Sequence, residues 1–145
     1  MLLNAIAKPL MLGIYEDDRL LEVIESDLKV SETLPCIIQK LLLKYELQKL
    51  IYVHGPGSYM GIKISYVSFQ TLAIVKNIPL EAVSAFELNN NTPIPANKHL
   101  CFVKKENDEI VLEKTQAGSF FMPQSLKGLG LSKDNAPFYV LDAIN

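Results

Sequence analysis

Leu50-Ile51-Tyr52-Val53-His54-Gly55-Pro56-Gly57-Ser58-Tyr59-Met60-Gly61-Ile62-Lys63-Ile64 is the stretch on which the fold of this 145-residue chain turns. Residues 50–53 are a short apolar run and predict a buried strand. Gly55, Pro56 and Gly57 then force a sharp loop, and from Gly61 to Lys76 apolar residues return at steps of three and four, the period of a helix. Strand, glycine loop and helix therefore follow one another directly.

Working outward, residues 2–7, 10–15 and 19–25 are short apolar runs broken at Lys8-Pro9 and at Glu16-Asp17-Asp18, the pattern of an antiparallel meander. Leu34, Ile37, Ile38, Leu41, Leu42 and Tyr45 recur at helical spacing after Ser31-Glu32-Thr33 and predict a helix over 33–48. Residues 80–84 read as another strand. Asn89-Asn90-Asn91-Thr92-Pro93-Ile94-Pro95 is polar and proline-broken, which divides the chain into a first lobe, 1–92, and a second, 93–145. In the second lobe 99–104 and 110–115 flank a polar turn as a hairpin, 123–129 suggests one short helix, and 138–141 a final strand. Some fifty β-rich residues are few for an independent core, so this lobe is expected to lean on the first.

Composition narrows the function. With 49% apolar residues the chain has enough burial to fold, and 14 basic against 16 acidic side chains leave no basic stripe to attract nucleic acid. Cys36, Cys101, His54 and His99 are too few and too scattered for a structural zinc site or a disulfide framework. The apolar opening residues are interrupted by Lys8-Pro9 and lack a basic leader, and no apolar run reaches the roughly 18 residues that span a bilayer. A cytoplasmic protein is the expectation.

The loop Gly55-Pro56-Gly57-Ser58-Tyr59-Met60-Gly61 has two readings. Backbone amides of such a loop and the following helix end suit an anion. Yet Gly61-Ile62-Lys63 lacks the Gly-Lys-Ser/Thr of a Walker motif, and Gly55, Gly57 and Gly61 form GxGxxxG rather than GxGxxG. The plainer reading is a sharp reversal in which glycines relax the backbone and Ser58 caps the helix. His54 sits at the loop edge with no nucleophile beside it in sequence. Asp17 with Asp18, and Asp108 with Glu109, read as solvated turn residues.

Both helices carry more apolar surface than one sheet covers. Ile62, Tyr66, Phe69 and Ala73 form one stripe, and Ile64, Val67, Ile74 and Val75 another on the opposite side. Leu34, Ile38, Leu41 and Tyr45 likewise oppose Cys36, Leu43 and Leu47. Either the helices and the second lobe cover one another, or a protein partner covers what remains.

Gly55-Pro56-Gly57-Ser58-Tyr59-Met60-Gly61-Ile62-Lys63-Ile64 resembles the GPGSFTGxRI signature of the TsaB (YeaZ) family. Ile78-Pro79-Leu80-Glu81-Ala82-Val83-Ser84-Ala85-Phe86-Glu87 is similar to its VSxLE element, and Ser31-Glu32 with Leu34-Pro35-Cys36-Ile37 to its SE…LPxI helix start. The resemblance implies an α/β, actin-like, sugar-kinase-type (ASKHA) two-lobe fold. The first lobe would be a mixed sheet with two long helices, the second reduced and β-rich. It also implies a non-catalytic subunit of the bacterial complex that makes threonylcarbamoyladenosine in tRNA, with no cofactor or metal of its own. The implied partners are the catalytic paralogue TsaD, a TsaE-like ATPase in the assembly and, without TsaD, a second copy through the same helices, with tRNA met only indirectly and no membrane. Leu34, Ile38, Leu41, Tyr45, Ile62, Tyr66, Phe69 and Ala73 are the candidate partner contacts, and charged residues at Leu41 and Phe69 are expected to break that contact without unfolding the chain. Gly55, Pro56, Gly57, Ser58 and Gly61 form the family loop. Leu3-Asn4-Ala5 replaces the family's IDT-like element and Phe102-Val103-Lys104-Lys105 its IDAR-like one, and the missing carboxylate argues against phosphoryl chemistry. The alternative is a small ATP-dependent phosphotransferase or ATPase of the same fold that uses the loop from Gly55 to Gly61.

Overall fold

The computed structural model describes residues 1–139. Strands β1 (Leu2–Asn4), β2 (Leu10–Glu16) and β3 (Arg19–Ser26) form the expected meander. Its second turn is tight, with Asp17 and Asp18 at φ +51° and +65°, a conformation that aspartate tolerates better than most residues. Helix α1 (Val30–Lys44), β4 (Leu50–Gly55), α2 (Tyr59–Lys76) and β5 (Leu80–Ser84) follow. The sheet order is β3-β2-β1-β4-β5. The meander is antiparallel, while β4 runs parallel to β1 and β5 parallel to β4. The result is a mixed α/β architecture of five strands and two helices.

Parallel strands buried on both faces need apolar residues at every position rather than alternation. Leu50, Ile51, Tyr52 and Val53 of β4 satisfy this, all of them essentially inaccessible. One core lies between the sheet and the helices, with Leu3, Leu10, Leu12, Leu50, Tyr52 and Ala82 facing Leu34, Leu41, Phe69, Leu72 and Ala73. A second core covers the opposite face, where Leu2, Ile51, Val53 and Val83 meet Phe86, Ile94, Phe102 and Met122. Ile94 and Phe102 belong to a small antiparallel sheet, β6 (Ile94–Pro95), β7 (Cys101–Lys104) and β8 (Ile110–Glu113), in that order. Residues on both sides of position 92 therefore share one buried layer.

Local chemistry accounts for several boundaries. Helix α2 starts two residues before the expected Gly61 because Ser58 serves as its cap, its hydroxyl accepting from the Gly61 amide at 3.2 Å. It ends at Asn77, which takes the left-handed conformation at φ +55°. Helix α1 runs over Val30–Lys44 instead of 33–48. Tyr45 turns extended, and its hydroxyl donates to Glu22 Oε2 of β3 at 2.6 Å while Lys44 Nζ reaches the same oxygen at 3.1 Å. Those two donors hold the Glu22 carboxyl below its usual range.

Two sequence expectations need correction. Residues 123–129 form no helix. The Leu126 amide donates to Asp18 O and the Leu20 amide to Gln124 O, so this segment spends its hydrogen bonds on the β2–β3 turn. A 3-10 turn, Ala85–Leu88, precedes the Asn-rich linker, and β6 lies at its end. Of the expected strand at 138–141, residues 138 and 139 carry no strand pairing, and 140 and 141 lie outside the described residues.

Phe69 is completely buried between α2 and the sheet. Phe69→Ala should lower unfolding free energy by about 3–5 kcal/mol, read as a lower urea midpoint with unchanged slope. A loss below about 1 kcal/mol would contradict this packing.

Candidate functional site

The glycine loop leaves β4 at Gly55 and enters α2 at Tyr59. Gly55 has φ +130°, which disfavours any side chain, and a Cβ there would overlap the Phe138 carbonyl oxygen. A Cβ on Gly61 would overlap the carbonyl oxygen of Ala5, and one on Gly57 would lie 2.7 Å from Ile6 Cβ. The volume that the three glycines leave free is thus filled by the chain's own atoms, from the segment after β1 and from the C-terminal segment. Three of the amides here are engaged as well. Ser58 N donates to Ile6 O at 3.1 Å, Gly61 N to Ser58 Oγ, and Ile62 N to Ser58 O at 2.9 Å. Ser65, one turn on and fully buried, donates its hydroxyl to Gly61 O at 2.6 Å.

At the end of β1 the residue that faces this region is Asn4, buried, with its Oδ1 accepting from Ile6 N at 3.3 Å. A neutral amide cannot act as a general base and brings no negative charge to a metal-bound nucleotide. Among the described residues no group of three or more His, Cys, Asp or Glu could hold a metal ion. Asp17, Asp18, Asp108 and Glu109 lie exposed in their turns. Cys36 is exposed and Cys101 buried, while His99 is an exposed loop residue whose amide donates to Asn97 Oδ1.

His54 is the least ordinary polar group near the loop. Residues 132–139 pass over it as an extended strap, with Phe138 N donating to His54 O at 2.8 Å and the Phe138 ring edge-on to the imidazole at 5.9 Å. Burial under the strap holds the imidazole below its ordinary range, against the opposing effects of the Ala136 carbonyl and Asp134.

The helices settle which stripe meets the sheet. Leu34, Leu41, Ile62, Phe69 and Ala73 are buried in the chain's own core, and Ile38, Tyr45 and Tyr66 are half-buried against it. This corrects the expectation that these eight residues form a free contact surface: charges at Leu41 or Phe69 would attack the core itself. Much of the opposite stripe is left in solvent, with Leu43 90%, Val67 56%, Ile74 71% and Val75 72% exposed and Met60 continuing it toward the loop, whereas Ile64 and Leu47 are half-buried against the core. Sequence contains a signal for this choice. Gly61 and Ser65, small residues one turn apart, flank the Ile62 and Phe69 side, and small residues mark where a helix backbone approaches its neighbour closely.

Gly61→Ala should therefore destabilise the fold by about 1–3 kcal/mol or more through overpacking against backbone, where the same change on an open helix surface stabilises. Chemical denaturation decides this, and an unchanged or raised midpoint would refute the close approach.

No family model matches the chain. The tRNA threonylcarbamoyladenosine biosynthesis protein TsaB of Bacillus subtilis (strain 168) is 43% identical over 42 residues, 29% of this chain and 18% of that one. YeaZ from Pseudomonas aeruginosa shares the fold with a TM-score of 0.58 at 17% identity, over 81% of this chain and 65% of that chain. A second structure, described as an uncharacterized protein with similarity to peptidase YEAZ from Pseudomonas aeruginosa, gives 0.54 at 18% identity, over 81% and 64%. The chain thus spans just under two thirds of these two solved structures. What the chain shares with these proteins is thus one matching segment of 42 residues and the fold.

Proposed function

We propose that this protein is a non-catalytic scaffold subunit of the cytoplasmic machinery that makes threonylcarbamoyladenosine in tRNA, and that it binds and activates a TsaD-like catalytic subunit. The name of the Bacillus relative supports the pathway. The observation that carries the scaffold role is the solvent-exposed apolar stripe of Leu43, Val67, Ile74 and Val75 on the side of α1 and α2 that faces away from the sheet. Side chains of this size gain about 1.5–3 kcal/mol each when taken fully out of water, which drives such a face toward a cover. In this reading the first lobe, 1–92, presents the face, and Ile94, Phe102 and Met122 of the second lobe, 93–145, close the back of the sheet in a reduced two-lobe actin-like arrangement. A TsaE-like ATPase would join through TsaD or the remaining surface, and a second copy would occupy the face when TsaD is absent. The glycine loop then serves to seat α2. Its filled glycine slots and the neutral Asn4 disfavour the rival reading of an ATP-dependent phosphotransferase. No helix among the described residues is long and apolar enough to cross a membrane.

Val67→Asp with Ile74→Asp tests the proposal without touching the core. Co-purification with the TsaD of the same organism should fall at least tenfold while the melting temperature stays within about 2 °C of the parent, since both positions are exposed. Undiminished co-purification would count against the docking face.

A further inference from the structure

Residues 132–139 are tied down at a few separate points. Ser132 exchanges both backbone hydrogen bonds with Ala82 of β5, at 2.8 and 2.9 Å. Asn135 donates its side-chain amide to Leu80 O at 3.0 Å, and its carbonyl accepts from the Tyr52 hydroxyl. Phe138 N donates to His54 O, the Phe138 carbonyl fills the slot above Gly55, and Tyr139 packs on Tyr59 at 5.0 Å between ring centroids. All these anchors fall on β4, β5 and the start of α2, so the segment guards the outer edge of β5 and covers the glycine loop together. Between the anchors the strap lacks regular secondary structure, and Phe138 and Tyr139 remain about two-fifths exposed. A segment held by a handful of polar ties and partly open rings is of the kind that opens locally well below the cost of global unfolding.

One of its seats is titratable. His54 Nδ1 lies 3.4 Å from Ala136 O, with the Phe138 ring at its edge. We propose that residues 132–139 form a latch that sits on the His54–Gly55 end of β4 in neutral solution and lifts in mild acid, with the His54 imidazole as its sensor.

The charged group of the strap that acts on His54 is Asp134, which favours the protonated ring. The phenols around the seat do not compete: Tyr52 on β4 and Tyr139 on the strap are both held above their ordinary range by burial. Desolvation under the strap outweighs both the Ala136 carbonyl and Asp134, which favour the protonated ring, so the ring binds a proton less readily when the latch is seated than when it is lifted. Linkage then sets the sign. The closed latch is favoured fully above the ordinary histidine range. Its advantage declines as pH falls below about 6.5 toward the lowered value of the seated ring, with a limiting slope of about tenfold in the open-to-closed ratio per pH unit for one proton.

Amide hydrogen exchange on the full chain between pH 7.5 and 5.5, corrected for intrinsic rates, tests this. Protection at Ser132 and Phe138 should fall several-fold with acid while amides of β1 and β4 that face the core keep theirs. In His54→Gln, which retains polar contact but does not titrate, strap protection should not vary with pH. A second measurement needs no change at the sensor: in Phe138→Ala the His54 ring, followed by NMR, should titrate closer to its ordinary value than in the parent. Constant strap protection across the range, equal pH dependence in His54→Gln, or an unmoved His54 titration in Phe138→Ala would each overturn the latch.

Discussion

Helix α2 touches the sheet through a contact that only glycine permits. Gly61 brings the first turn of the helix against the Ala5 carbonyl so closely that a single methyl group would overlap it. Much of the molecule follows from that approach. It fixes the rotation of α2, which sends Phe69 and Ala73 into the layer over Leu3, Leu12 and Tyr52, and Ile62 against Ile6, Ile51 and Val53. The same rotation leaves Val67, Ile74 and Val75 facing water. It also explains why the loop from Gly55 to Ser58 is shaped as it is. The loop must turn the chain from the end of β4 into a helix that starts almost in contact with the end of β1, and the Ser58 amide closes that junction on Ile6 O.

A glycine-rich connection between a strand and a helix invites comparison with phosphate-binding loops, and the physical difference lies in what occupies the glycine slots. In a phosphate cradle the absent side chains make room for a ligand and the amides point at it. Here the room is taken by Phe138 O, Ile6 and Ala5 O, and the Ser58, Gly61 and Ile62 amides have partners within the chain. The glycines serve packing between elements of the same molecule.

Local patterns were legible in the sequence, and choices between equivalent patterns were not. The strand at Leu50, the α2 helix and the meander each follow from short-range periodicity or turn residues. Periodicity alone cannot say which of two apolar stripes faces inward, because Ile62, Tyr66, Phe69 and Ala73 are as regular as Ile64, Val67, Ile74 and Val75. The tie is broken by small residues, Gly61 and Ser65, whose meaning depends on a neighbour distant in the chain. Leu126 and Leu129 show the converse failure. They lie in the segment 123–129 that suggests a short helix, yet both pack on the back of the sheet while the backbone around them pairs with the β2–β3 turn. Likewise β6 is two residues long, follows Pro93 and itself ends in Pro95, too short for any pattern to announce it.

What the fold leaves over is a stripe of aliphatic side chains on its outer helical layer, and the functional account rests on the use of that surplus. The most direct measurement is methyl NMR of the protein labelled at its isoleucine, leucine and valine side chains, with and without the TsaD of its own organism. The account predicts that signals of Leu43, Val67, Ile74 and Val75 shift or broaden on mixing while those of the β6–β8 sheet stay in place. Perturbation confined to β6–β8, or none anywhere at concentrations near 100 μM where even weak complexes form, would contradict it.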